Sequence, residues 1–421
     1  MKTKAVIFFL MLFSFVQAQN NTWLVYNQGN SSLPSNYVKV INFDGAVTWI
    51  GTIQGLAVIK DNQWNVYNPS NSDLQSDYIQ CVSVDNTGTK WIGTLNGVVS
   101  VDNSPSQRGW DVYNTSNSGL PLNNVTDIAV DSYNRKWIAT WGGGLAMFDG
   151  STWITYDMYN SGLPVNGIYR LKIDGNDNVW IATHGGGLIK FDGVNWQVYN
   201  SSNSNLPSNL VYDIDIDLHS NIWLGTELGL VKFDGNNQWR LYNTENTGWD
   251  FTAVMCVKAD KLRQILYFGT YNGMGIYEND TFTFKKTNNS GLSNNWVSAI
   301  NIDDNGNKWI GTLGGGVSIY NENGVNVSIE NLSLQADILS VSSYPNPFRN
   351  QVQLTVNLPK TSKVMLRIFD ITGKECKVLT AENRKSGTNT FFISMDEMPS
   401  GLYYCTVETL FERRTNKLIK I

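Results

Sequence analysis

"KWIGTLGGGVSIY", residues 308–320, carries the four letters that decide the fold. WIGT stands also at residues 49–52 and 91–94, and the variants WIAT, WIAT, WLGT and YFGT begin at Trp137, Trp180, Trp223 and Tyr267. The leading aromatics are 42, 46, 43, 43, 44 and 42 residues apart. A period in the low forties marks stacked supersecondary units. Each unit holds four strand signals. In the second they are "WNVYN" from Trp64, "YIQCVSVD" ending at Asp85, "KWIGT", and "GVVSVD" ending at Asp102, rich in β-branched and aromatic residues and bounded by turn formers. A four-stranded sheet that is apolar on both faces has to stack on neighbours, so the period predicts a β-propeller.

Seven copies predict seven blades. Along the strand ending at each Asp, apolar residues alternate, as at Ile41 and Phe43 or Val82 and Val84, which puts each pair on one face. The Trp of WIGT is expected to fill the space between blades, and the Gly two residues on to let the next sheet approach. The W-x-x-Y strand occurs at Trp23, Trp64, Trp110, Trp153, Trp196 and Trp239, with Phe282 in the seventh place. Trp23 precedes the first WIGT and no good copy follows the last. The strands balance only if the Trp23 strand completes the final blade, which also removes two exposed edges. The expected fold class is all-β: a seven-bladed propeller over residues 19–325, a linker over 326–343, and a small immunoglobulin-like sandwich over 344–421.

Composition agrees. The 421 residues include 37 Gly and are 12 % aromatic but only 16 % charged, which suits tight turns and strands. Lys2 and Lys4, the apolar run AVIFFLMLFSFV and the small residues Val16 and Ala18 read as a signal peptide over residues 1–18, so the protein is expected to leave the cytoplasm. No later stretch is long enough for a transmembrane anchor. Of the four cysteines, Cys81 and Cys256 occupy equivalent repeat positions and are expected as buried small hydrophobes, while Cys376 and Cys405 could both face the sandwich core, where a bridge is possible. From residue 344 onward 12 Lys and Arg outnumber 7 Asp and Glu, whereas residues 19–343 carry about −12. An acidic body argues against nucleic acid as a partner.

Residues 178–200, "NVWIATHGGGLIKFDGVNWQVYN", and their six relatives resemble the two-component regulator propeller repeat. The resemblance covers nearly all of the ring. In that family such propellers form the periplasmic sensor of membrane-bound hybrid histidine kinases, often responsive to saccharides. This chain has no room for a kinase, so the resemblance implies the propeller and not the signalling. The tail runs "SYPNPF", "VMLRIFDITGKECKVL", "GTNTFFISMDEMPSGLYYCTVE" and "NKLIKI". It resembles the type A C-terminal sorting domain of the type IX secretion system. The landmarks are Tyr344, Pro345, Asn346, Pro347 and Phe348 at the entry, Asp370, Gly373 and Lys374 in a hairpin, Gly401 and Tyr403 in a strand, and Lys417 in the basic terminal strand. The resemblance implies the type IX machinery as a partner, passage through the outer membrane, and a body released or attached to the surface.

Positions that differ between copies are free to specialise. The loop after each WIGT reads Ile53-Gln54, Leu95-Asn96, Trp141, His184, Glu227, Tyr271 and Leu313. Trp141, His184, Glu227 and Tyr271 are expected on one rim, suited to a sugar or another small polar ligand. Four residues before the strand-ending Asp the copies read Val40, Cys81, Asp127, Arg170, Asp213, Cys256 and Ala299, which predicts a carboxylate–guanidinium–carboxylate row in the channel. "DGNDN" at Asp174 and "DDNGNK" at Asp303 lack the calcium-loop pattern and read as hairpin turns. No zinc cluster or nucleophile elbow is present, so no metal, cofactor or catalytic residue is assigned. The expected function is an exported binding module for a surface glycan, peptide or protein. Its rivals are an adhesive surface protein without a pocket and a carbohydrate-active enzyme using Asp127, Asp213 or Glu227.

Overall fold

The computed structural model describes residues 22–102, 110–250, 253–325, 327, 340–358, 361–409 and 413–421. The signal peptide expected at 1–18, and residues 326 and 328–339 of the linker expected at 326–343, lie outside them. The chain divides into two units, Met1–Asn326 and Val327–Ile421.

The first unit is seven antiparallel four-stranded sheets. In blade 1 the inner strand Val38–Asp44 pairs with Val47–Thr52, which pairs with Gly55–Lys60, which pairs with the outer strand Gln63–Tyr67. The next inner strands are Ile79–Val84, Val125–Val130, Ile168–Ile173, Val211–Ile216, Val254–Asp260 and Val297–Ile302. Blade 7 draws three strands from its own repeat. Trp23–Tyr26 supplies the fourth, with Trp23 opposite Tyr320 and Tyr26 opposite Val317. Blade 7 also meets blade 1 at the inner edge, where Ser298 Oγ donates to the Val38 carbonyl at 2.6 Å and Asn301 Nδ2 to that of Ile41 at 3.0 Å. The expected blade number and closing strand are both present.

The WIGT strand is second in each blade, and its central apolar residue (Ile50, Ile92, Ile138, Ile181, Leu224, Phe268 or Ile310) is fully buried. Its Trp spans the gap between blades: Trp91 lies 5.9 Å from Phe148 of blade 3, and Trp137 lies 5.9 Å from Phe191 of blade 4. The Gly two positions on gives way to the next inner strand. A Cβ on Gly93 would stand 2.4 Å from Cys81 Sγ and 2.7 Å from Val125 Cγ1 of the following blade. Gly93→Ala is therefore expected to cost about 1–3 kcal/mol by overpacking. The readout is a lower urea midpoint with unchanged slope, and an unaltered midpoint would mean that the blades have room to part.

The strand-ending Asp has a task that the sequence reading did not assign. Asp85, Asp131, Asp174, Asp217 and Asp303 each accept a hydrogen bond from the indole Nε1 of the Trp six residues on, at 2.8–3.0 Å. The other carboxylate oxygen accepts turn N–H groups, as Asp303 Oδ1 does from Asn305 and Asn307. The Asp174 and Asp303 fragments are thus hairpin turns. In blade 1 the turn is a residue shorter, and Trp49 Nε1 is buried without a partner among the described residues.

Each inner strand is the free edge of its sheet, and side chains of the preceding blade cap it. Asn42 Nδ2 donates to the Val82 carbonyl at 2.7 Å, and Asp215 Oδ2 accepts from the Ala259 N–H at 2.9 Å. Edges left open invite pairing with foreign strands.

In the second unit a three-stranded sheet (Ser340–Tyr344, Gln351–Leu358, Gly387–Ser394) and a four-stranded sheet (Glu375–Arg384, Ser362–Asp370, Gly401–Glu408, Arg413–Lys420) share one core. Val352, Leu354, Val356 and Leu358 are buried in alternation against Leu366, Ile368 and Val407. This is the expected sandwich. Cys376 and Cys405 do not both face this core: Cys405 is buried in it and Cys376 is exposed, and the two form no bridge. Ile368 pairs with Lys377 and Phe369 with Glu375, so Cys376 is the unpaired residue of a bulge that takes it off the strand's alternation.

Candidate ligand-binding site

Every inner strand of the propeller carries a bulge at the same place. The register shifts between Val38 and Val40, and between the matching residues of the other six blades. The residues between, without a partner on the second strand, are Lys39, Gln80, Thr126, Tyr169, Tyr212, Met255 and Ser298. A bulge sends two neighbouring side chains the same way where strict alternation would send one. In blade 3 both do so: Thr126 Oγ1 donates to the Ile168 carbonyl at 2.8 Å, and Asp127 Oδ2 accepts from the Leu171 N–H at 2.8 Å.

The structure brings Asp127, Arg170 and Asp213 into the expected row. Arg170 Nε stands 3.9 Å from Asp213 Oδ1, and Nη1 donates to the carbonyls of Thr126 and Tyr169 at 2.9 and 3.2 Å. Burial raises the Asp127 carboxyl above its usual range and pushes Asp213 up to about 6, in both cases against the pull of Arg170. For Arg170, burial disfavours the charge, and Asp127 and Asp213 outweigh it. A second row was missed. Two residues before the strand-ending Asp stand Lys172, Asp215 and Lys258, with Lys172 Nζ 2.6 Å from Asp215 Oδ1. Burial would raise the Asp215 carboxyl, but Lys172 and Lys258 bring it down to about 2. The same comparison of copies, applied two positions later, would have found this row.

At the mouth, Trp141 and His184 meet, with ring centroids 5.2 Å apart. Between them the bulge of blade 4 inserts Tyr169, 4.9 Å from Trp141 and 5.6 Å from His184, and Tyr212 of blade 5 follows at 5.3 Å from Tyr169. Burial pushes the Tyr169 phenol up to about 12, helped by Tyr212, Tyr271 and Glu227, so these four groups share one field. Tyr271 packs 5.0 Å from Trp296, and Glu227 Oε2 accepts from Ser208 Oγ at 3.4 Å. Trp141, Tyr271 and Trp296 keep 39, 47 and 43 % of their surface exposed, enough to offer ring faces to a ligand. The four expected rim residues are thus on one mouth, and Tyr169, Tyr212 and Trp296 join them. His219 lies in a turn at the other end of its blade, 3.3 Å from Gln264 Oε1.

The sorting landmarks hold the sandwich together. Tyr344 ends a strand opposite Gln353, and Pro345 and Pro347 flank Asn346 in the bend that follows. Asn346 Nδ2 donates to the Lys417 carbonyl at 2.7 Å and its Oδ1 accepts from the Ile419 N–H at 2.8 Å, tying entry to exit. Phe348 is buried in the core. Asp370 Oδ1 accepts from the N–H groups of Thr372 and Lys374, and Gly373 sits at φ +83°, where a side chain would be strained. Gly401 opens the strand on which Tyr403 donates its hydroxyl to the Pro399 carbonyl at 2.7 Å.

Residues 342–421 match the family described as the secretion system C-terminal sorting domain. A search of curated proteins finds no match. Among solved structures the chain is similar to PorZ of Porphyromonas gingivalis, described as an essential surface component of its type-IX secretion system. The identity is 16 % and the TM-score 0.53, over 92 % of this chain and 60 % of that one. It is also similar to the extracellular domain of the hybrid two component system BT4673 from B. thetaiotaomicron, at 14 % identity and TM-score 0.60, over 96 % and 60 %. YCF48 from Cyanidioschyzon merolae aligns at 14 % and TM-score 0.52, over 72 % and 100 %. The chain spans about three-fifths of the length of the first two. Among the described residues no helix is long and apolar enough to cross a membrane. The chain is a seven-bladed propeller followed by a secretion-system C-terminal sorting domain, and so a secreted or surface-exported protein.

Proposed function

We propose that the propeller is a binding module that seats a saccharide on the aromatic mouth of blades 3 to 6, and that the tail delivers it through the type IX machinery to the surface or beyond. The observation that supports this is the run of rings Trp141, His184, Tyr169 and Tyr212, each within 4.9–5.6 Å of the next, at the opening of a polar channel. A sugar ring has apolar C–H faces and hydroxyl edges. The aromatic faces take the first, and Glu227 with the channel row takes the second. The rival reading puts Asp213 and Glu227 to work as a glycosidase pair.

The test is a glycan array on the full chain followed by calorimetry. Trp141→Ala and Tyr169→Ala are each expected to weaken binding about tenfold or more, as loss of a central aromatic anchor does, with melting temperature shifted by no more than a few degrees. Parental affinity in both variants would sink the mouth. Turnover of a bound glycan, lost in Glu227→Gln, would replace the binder by an enzyme.

A further inference from the structure

Two cations in the channel wall have donors that the described residues leave unused. Lys39 is the bulge residue of blade 1, and Arg170 stands beside the bulge of blade 4, three places round a ring of seven. Among the described residues Lys39 Nζ has neither a carboxylate within ion-pair distance nor a hydrogen-bond acceptor, and it lies 5.9 Å from the centroid of the Tyr78 ring. Arg170 spends Nη1 on two carbonyls, while Nη2 makes no hydrogen bond among the described residues. The nearby carboxylates are already engaged: Asp127 by the Leu171 N–H, and Asp213 by those of Ile214 and Val257. Burial lowers the Lys39 ammonium to about 8 and Arg170 adds to the fall, so the two cations feel one another. Between bulge and turn the inner strands present Lys39, Arg170, Lys172 and Lys258 against Asp127, Asp213 and Asp215, a surplus of positive charge inside a body of about −12. Tyr169 adjoins Arg170 in sequence, so the aromatic mouth borders on that cation.

We infer that the ligand of this mouth is acidic: a saccharide bearing a carboxylate, with its ring against Tyr169 and Tyr212 and its acid group drawn to Lys39 and Nη2 of Arg170. This rests on the reading of the mouth as a saccharide site. A carboxylate supplies Lys39 with the acceptor it lacks and accepts from the remaining donor of Arg170, in charge-assisted hydrogen bonds stronger than those a neutral sugar offers.

Calorimetry on the full chain tests it with trigalacturonate, a hyaluronan tetrasaccharide, their methyl esters and inorganic phosphate. At least one free acid is expected to bind ten times or more tighter than its ester. Lys39→Gln should abolish that preference and Lys39→Arg should keep it, with both variants melting like the parent. Equal affinity for acid and ester overturns the inference. So does a preference that survives Lys39→Gln, no binding of either acid, or phosphate binding as tightly as the acid, which would mark a bare oxyanion site. If a neutral glycan binds in a Trp141-dependent way while both acids fail, the saccharide mouth stands and only its acidic ligand falls. If no glycan binds at all, both fall.

Discussion

A chain that starts at Gln28, without the strand Trp23–Tyr26, is expected to lose most of its net stability and to associate. The strand supplies up to four ladder hydrogen bonds, at about 1 kcal/mol each. It also half-buries Trp23, Leu24, Val25 and Tyr26, at roughly 1 kcal/mol each. Trp23 stacks on Tyr320 with centroids 4.7 Å apart, and its Cβ fills the space over Gly291. The sum is on the order of 5–8 kcal/mol, set against the 5–15 kcal/mol that holds a typical domain. Val317–Tyr320 would then be a bare edge, and bare edges recruit other chains. Urea melts and size-exclusion chromatography read both effects, and a synthetic peptide of residues 20–28 should reverse them. A monomer with the parental midpoint would show that the ring does not need its closing strand.

Lys136→Met is expected to cost about 3 kcal/mol at pH 7, in the range found when a buried pair loses one partner. Lys136 Nζ of blade 3 stands 3.1 Å from Asp85 Oδ2 of blade 2, with both side chains almost wholly buried. It also donates to the Asn134 carbonyl at 2.9 Å and lies over the Trp91 ring. Burial would raise the Asp85 carboxyl, but its bonds from Thr87, Trp91 and Lys136 hold it well below the usual carboxylate range. A depressed native pKa means that folding favours the ionised form. That contribution is complete above about pH 4, where an unfolded Asp is ionised, and fades as the pH falls toward the native value. Removing Lys136 shrinks the depression, so acid unfolding should begin at a higher pH and the cost of the substitution should be smaller at pH 3 than at pH 7. Urea midpoints at the two pH values check this, and an equal cost at both would mean that the pair carries no electrostatic stability.

The blade count was legible because the Trp residues of WIGT are the largest buried side chains of their strands and recur at nearly constant spacing, so each marks a sheet. The closing strand was legible because Trp23 was one W-x-x-Y strand too early. What escaped depends on side chains meeting across units. Asp85 and Trp91 looked like separate landmarks, yet they share a hydrogen bond. In the loops before the inner strands, Leu33, Leu74, Leu120, Leu163, Leu206 and Leu292 are buried, although these polar stretches read only as connections. The charged row Asp127–Arg170–Asp213 was found by comparing copies. Tyr169 and Tyr212, one position earlier, were passed over because strict alternation sends them away from the row. A bulge adds one unpaired residue without changing the kinds of letters in a strand, so neither it nor the exposure of Cys376 could be read from the pattern.

The seven inner bulges separate two tasks that a plain strand would confuse. Apolar residues that pack blade on blade, such as Trp91 and Gly93, lie on the second strand, while at the bulge Gln80, Thr126 and Ser298 bond to the following blade and the side chains of Lys39, Tyr169 and Tyr212 make no such bond among the described residues. Lysine, glutamine, threonine, tyrosine, methionine and serine all occupy the same bulge within this one chain. A scaffold so arranged can exchange residues such as Lys39, Tyr169 and Tyr212 with little change to the bonds between blades, which makes this opening the natural place to install a new ligand preference by design.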